Sequence, residues 1–259
     1  MYGVLEHASA QCLDSLKRYT ETTADLTAGT HLFRVAKMRR SMPLLPSRFR
    51  LMPLPPLSPK DLHNYCAEWS EPLGQLTDID SKIAYVRKRL PALLENRLLI
   101  TAVLNDIKKN SGEPRRRRHM LFDNEWCLHM DAKRRFSVRM YLYRPEELTV
   151  VHDHSSWGVL GCASGEMEIV KYSRKDDGQK NGYALLEETE RITCTPGRTD
   201  TTLPLDEGIH RVGNPTDRTI VVINVYGTPL RRLYINCFDI ENNRVTKIFP
   251  PRLKKKMPA

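Results

Sequence analysis

His152 and His154 stand one residue apart in VHDH, and His210 follows Gly208 in PLDEGIHRVGN. Alternate residues of a β-strand share a face, so the first two imidazoles point the same way. A later strand that carries His210 to their side would complete a set of three neutral nitrogen ligands. Such a set suits a borderline divalent metal and leaves coordination positions open. That chemistry is Lewis-acid or redox chemistry, unlike the closed coordination of a structural metal site.

Strands must position these residues, and the sequence supplies them. From about His119 onward the pattern has period two and is rich in strand residues. The candidate strands are FSVRMYLY, LTVVHDH, WGVLGCA, EMEIVKY, ERITCT, TIVVINVY and LYINCF. Turn signals fall at Asp176-Asp177-Gly178, Asn181-Gly182, Pro196-Gly197 and Glu207-Gly208. Many short strands with regular turns predict a sandwich or barrel. Helices precede them. Ser58-Pro59 offers a hydroxyl cap followed by a first-turn proline, with Leu62, Tyr65, Cys66 and Trp69 at helical spacing. A second helix starts near Asp80 with Ile83, Val86 and Leu90 on one face, and Pro91 is expected to open a third. The expected division is a basic, proline-rich extension over 1–57, a helical segment over 58–112 that packs on the barrel, and the barrel itself over 113–259. Composition makes the extension a flexible tail, with Met42 or Met52 as alternative starts.

The chain has 259 residues, of which 40% are hydrophobic, enough for a core of ordinary size. Its formal net charge is +10 and its pI about 9.4. The basic runs, Arg115 to Arg118 and Lys254 to Lys256, are short and lack interleaved aromatics. They predict solvated charge, with no specific nucleic-acid partner. The six cysteines form no C-x-x-C pair, which predicts a reduced, cytoplasmic setting. The amino terminus has no signal-like apolar region and no apolar run is long enough for a bilayer, so no membrane association is expected. Oligomeric state is not legible.

Two segments resemble the signature motifs of the cupin barrel. His152 and His154 stand in the first, closed by Gly165, while Pro204, Gly208, His210 and Asn214 stand in the second with a longer gap between proline and glycine. The resemblance implies a mostly β fold: a cupin double-stranded β-helix, or jelly-roll barrel, preceded by a few α-helices. Gly158 occupies the place of the motif's glutamate ligand. Three histidines without that glutamate resemble one cupin branch, the thiol dioxygenases. Trp126 to Gly161 and His210 to Gly227 are similar to bacterial 3-mercaptopropionate dioxygenases and their cysteine dioxygenase relatives. The resemblance implies a mononuclear non-haem Fe(II) held by His152, His154 and His210, with a small thiol and O2 as substrates and a sulfinic acid as product. Three imidazoles leave the ion its full formal charge, which favours deprotonation of a bound thiol.

Other positions depart from the family. Its Ser-His-Tyr trio falls on Val222, Asn224 and Tyr226, which share one strand face. Tyr226 can still donate a hydrogen bond and Asn224 can hold it, but Asn224 exchanges no proton near neutral pH and Val222 makes no hydrogen bond. These two polar residues are the catalytic candidates. The crosslinking cysteine of mammalian members matches Gly158, so no crosslink is expected, and Cys162 is expected to pack. Glu125 falls where relatives carry Arg or Gln. There it would repel a carboxylate and suit an amine, unless a shift of register puts it on the surface. Arg231 and Arg232 match an arginine pair near the family's site, as acid-binding residues or as solvated charge. Trp157 is placed at the pocket wall or in the core. His129 is expected either behind the ligands, supporting them, or in a structural place, and Asp153 is expected to face away from the metal.

The leading reading is therefore an Fe(II)- and O2-dependent thiol dioxygenase. The alternatives are a metal-binding cupin acting as a sensor or accessory protein without turnover, and another three-histidine iron dioxygenase that cleaves a carbon–carbon bond.

Overall fold

A computed structural model describes residues 59–110, 125–230, 232 and 234–249. The extension expected over 1–57 lies outside the described residues.

Four α-helices come first among the described residues: α1 (Pro59–Ala67), α2 (Ser70–Gln75), α3 (Ile79–Leu94) and α4 (Arg97–Asn110). Asp78 caps α3, accepting from the Ser81 amide at 2.7 Å. The helix runs through Pro91, which does not open a new one as expected. Proline removes one i→i−4 hydrogen bond there, and the buried Leu90, Leu93 and Leu94 pack the helix in place on both sides of it. The next start is set instead by Asn96, whose side chain accepts from the Leu99 amide at 3.0 Å. On α3 the residues Ile83, Val86, Leu90, Leu93 and Leu94 are all buried. Each leucine so buried contributes about 1.5–3 kcal/mol.

Eleven strands follow among the described residues: β1 (Glu125–Met130), β2 (Phe136–Tyr143), β3 (Val151–His152), β4 (Gly158–Ser164), β5 (Met167–Arg174), β6 (Leu186–Cys194), β7 (Thr199–Thr202), β8 (His210–Gly213), β9 (Ile220–Gly227), β10 (Ile235–Asp239) and β11 (Arg244–Ile248). They form two antiparallel sheets, ordered β1-β2-β9-β4-β7 and β11-β10-β3-β8-β5-β6. The fold is mostly β with leading helices, as the sequence predicts. Four strands carried no clear signal of their own: β1, β7, β8 and β11. Three of them have five residues or fewer, too few to establish an alternation.

Both faces of the first sheet are covered, and they differ in chemistry. Phe136, Val138, Met140 and Leu142 of β2, with Val221, Ile223 and Val225 of β9, join the helices in one apolar cluster. At Gly161 of β4 a Cβ would lie 2.5 Å from Leu94 Cδ1, so glycine lets α3 approach the sheet. The alternate residues of the same strands turn inward. Those of β2 are Ser137, Arg139, Tyr141 and Tyr143; those of β9 include Val222, Asn224 and Tyr226. No helix among the described residues is long and apolar enough to cross a membrane.

Candidate metal centre

Strands β3 and β8 place the ligand candidates. His152 and His210 are register partners in the antiparallel pair, and His154 lies just past the end of β3. Their side chains converge, with one candidate ligand atom from each lying within 4.8 Å of the others. The Nε2 atoms of His154 and His210 are 3.0 Å apart. Two bonds of about 2.1 Å to one ion at a right angle separate nitrogens by about 3.0 Å, so this spacing fits a shared metal. All three rings are buried. Burial pushes each imidazole below its ordinary pKa, and the neighbouring rings push His154 and His210 further. The rings are therefore neutral at pH 7, as ligands must be. Nδ1–H of His152 donates to the Val150 carbonyl at 2.8 Å, which leaves Nε2 as the lone-pair nitrogen.

Asp153 lies between two of these histidines yet serves a different layer. It is fully buried and accepts two bonds from the Arg232 guanidinium, at 2.7 and 2.6 Å. The Asn236 amide and side chain add bonds at 2.8 and 2.9 Å. The loop carrying His154 is thus anchored to the start of β10. Arg232 does border the cavity, but its two terminal nitrogens are committed to Asp153. It is a structural partner first, where the sequence left open an acid-binding residue or a solvated charge. Arg231 lies outside the described residues.

The three histidines floor a cavity of about 620 Å³. Its wall carries two hydrogen-bonded polar groups. Arg139 donates through Nη1 to Glu125 and through Nε to Ser137 Oγ, the latter at 3.1 Å. Tyr141 donates to the other Glu125 oxygen at 3.2 Å, and Tyr226 lines the same wall. Asn224 Nδ2 donates to the Tyr226 oxygen at 3.0 Å. The Tyr226 ring stacks on His154, centroids 5.6 Å apart and planes 22° apart. Burial raises the pKa of Tyr226 despite the bond from Asn224, so the phenol keeps its proton at neutral pH. Asn224 Oδ1 is buried and has no hydrogen-bond partner among the described residues.

Several sequence expectations change here. Glu125 faces the cavity, but Arg139 and Tyr141 take up its charge. The argument that Glu125 selects an amine loses its basis, because the pair is close to neutral. Sequence reasoning missed Arg139. Its signal was available: in FSVRMYLY an arginine shares the alternate set with Ser137, Tyr141 and Tyr143. Trp157 does not border the cavity; it joins the apolar cluster under the helices, against Gly227. The alternation that turns Gly158 inward turns Trp157 outward. Val222 lies in the inner apolar cluster. His129 lies on the helix side, with its Nδ1 3.1 Å from Nδ1 of His63, away from the cavity. Burial pushes the Cys162 thiol up to about 12, so it is no nucleophile.

No protein-family model matches the chain. Among solved structures it is similar to a Cupin 2 conserved barrel domain protein from Salinispora arenicola CNS-205, at 20% identity over 36% of this chain and 62% of that one, with a TM-score of 0.26. It is also similar to the Cupin_2 domain of an XRE family transcriptional regulator from Enterobacter cloacae, at 19% identity over 39% and 88% of the two chains, TM-score 0.27. A third is an oxalate oxidase in complex with the substrate analogue glycolate, at 15% identity over 39% and 44%, TM-score 0.30. The chain spans less than two thirds of the first and third of these.

Proposed function

We propose that this protein is an Fe(II)- and O2-dependent dioxygenase that converts a small thiol into a sulfinic acid. The observation that carries the reading is the donor set: three buried neutral imidazoles, with no carboxylate among them, below a protonated phenol. The ion would be held by His152, His154 and His210, and when bound it would supply the positions and the redox chemistry for a thiol and O2. The stoichiometry closes without a further reductant, since a thiol plus O2 has the atoms of a sulfinic acid.

The chain's own contribution is binding and proton placement. The Val150 carbonyl fixes the His152 tautomer. The low proton affinity of the three rings keeps their lone pairs available at neutral pH. Tyr226 presents a phenol beside His154, and Asn224 orients it without competing for its proton. The Asn224 carbonyl oxygen remains as an acceptor for a donor on the substrate or on water. Tyr141, Glu125 and Arg139 extend the polar wall outward.

Oxygen uptake by the purified protein with a panel of small thiols, with sulfinate identified by mass spectrometry, tests the reading. One iron per chain is expected in the wild type and strongly reduced iron in His154→Ala. Iron content that is equal in both would refute the ligand assignment. A second reading, a metal-binding sensor without turnover, is favoured by Val222, whose side chain cannot take part in a polar relay. Thiol binding without oxygen uptake would select it.

A further inference from the structure

Three arginines border the cavity: Arg134, Arg139 and Arg232. Two of them have acidic partners, Glu125 for Arg139 and Asp153 for Arg232. The side chain of Arg134 has no ion pair or hydrogen bond among the described residues, and it is exposed. Even its neighbour Arg135 is engaged, by Asp131 at 2.8 Å.

The backbone at Arg134 is held in an uncommon place. Its φ is +56°, in the left-handed region that L side chains rarely adopt. The turn is tied on both sides. The Arg134 amide donates to the Asp131 carbonyl at 2.8 Å, and Thr228 Oγ1 donates to the Arg134 carbonyl at 3.4 Å. Two residues past Thr228, the Leu230 amide donates to the Ser155 carbonyl at 2.6 Å, next to the ligand His154. The β1–β2 turn is thereby fastened to the same loop as the metal ligands. Strain of this kind persists only where the surroundings hold it, and it clusters at ligand clamps.

We infer that Arg134 is a specificity-determining residue: it binds an anionic group, such as a carboxylate, at the end of the substrate away from the metal-bound atom. This rests on the proposed thiol reading for the near end of the substrate alone. Charge supports it. Glu125 is balanced by Arg139 and Asp153 by Arg232, so among the described residues lining the cavity Arg134 is the uncompensated charge that an incoming ligand meets. Guanidinium pairs with carboxylate in two parallel bonds, which gives orientation as well as attraction. The volume of about 620 Å³ leaves room for a ligand that reaches from the histidines to this turn.

The test compares 4-mercaptobutyrate with 4-mercaptobutan-1-ol on the iron-loaded full chain. Dissociation constants come from anaerobic calorimetry and turnover from oxygen uptake. Arg134→Asn removes the charge and keeps a residue that tolerates the left-handed backbone. It is expected to weaken 4-mercaptobutyrate about tenfold or more and to leave the alcohol within about twofold, while Arg134→Lys retains most of the affinity. Wild-type affinity for the carboxylate, but not for the alcohol, should also fall as salt rises from 50 to 500 mM. That measurement stands even if a variant folds poorly. Equal affinities of wild type and Arg134→Asn for the carboxylate would overturn the inference, as would a wild type that binds both compounds alike or neither. Arg134-dependent binding with no oxygen uptake would overturn the dioxygenase reading and leave this inference standing.

Discussion

Tyr226 fills the space that any side chain at position 158 would need. A Cβ on Gly158 would lie 2.8 Å from Cδ1 and 2.9 Å from Cε1 of the Tyr226 ring. The two residues are register partners on β4 and β9. The phenol stacked on His154 thus occupies the room beside a glycine that carries no side chain.

Gly158→Ala is therefore expected to displace the Tyr226 ring and to cost about 1–3 kcal/mol by overpacking. Removing the ring should relieve the clash. Urea unfolding of Gly158→Ala, Tyr226→Ala and the double variant measures this. The double variant is expected to lose less stability than the two single losses added together. Simple additivity would show that the two side chains do not compete for space.

Asp153 anchors an ion pair beside the candidate ligands. Asp153→Ala leaves the partly buried Arg232 guanidinium without its partner. The expected loss is about 3–5 kcal/mol in unfolding free energy. Because the residue lies between His152 and His154, iron content should fall as well. A variant of wild-type stability that keeps its iron would refute the anchoring role.

The Glu125–Arg139 pair predicts opposite effects from its two members. Glu125→Gln frees a positive charge in the cavity, and Arg139→Gln frees a negative one. Unit charges about 4 Å apart interact by roughly 4 kcal/mol at an effective dielectric near 20, before solvent screening. The ratio of kcat/KM for 3-mercaptopropionate to that for cysteamine should rise about tenfold in Glu125→Gln and fall in Arg139→Gln. A shift in the same direction in both variants would defeat the charge argument.

Acid sensitivity should centre on Asp131. Arg135 donates to it through Nε and Nη2, both at 2.8 Å, and Ser70 Oγ donates at 2.7 Å. These bonds, the Arg135 pair foremost, hold its carboxyl well below the usual carboxylate range despite burial. A lowered folded-state pKa gives stability that is present above the unfolded value, about pH 4, and is lost as pH falls below it. Asp131→Ala is expected to cost about 2–4 kcal/mol at pH 7 and less at pH 3. Urea unfolding of both proteins at the two pH values checks this, and a gap that widens at pH 3 would refute it.

The histidine set, the strand-rich barrel and the helices before it were legible because each depends on local pattern. Spacing of two on a strand, alternation and the helical spacing of apolar residues are properties of a few neighbouring residues, whereas the cap expected at Ser58 lies outside the described residues. The inward set of β2 was equally legible in FSVRMYLY, although only the covered outer face explains why its other half is wholly apolar. Trp157 was not legible, because one step of register decides between cavity and core.

What the sequence alone determined is therefore the type of chemistry: three imidazoles, a phenol two residues beyond an amide, and strands to carry them. Tertiary structure decided which charges are free. Glu125 and Arg139 are 14 residues apart, Asp153 and Arg232 are 79 apart, and no local pattern foretells either pair. Strand pairing brings the first together and the approach of the chain before β10 brings the second. A charge's effect on a ligand depends on whether it already has a partner in the folded chain, and only long-range packing sets that.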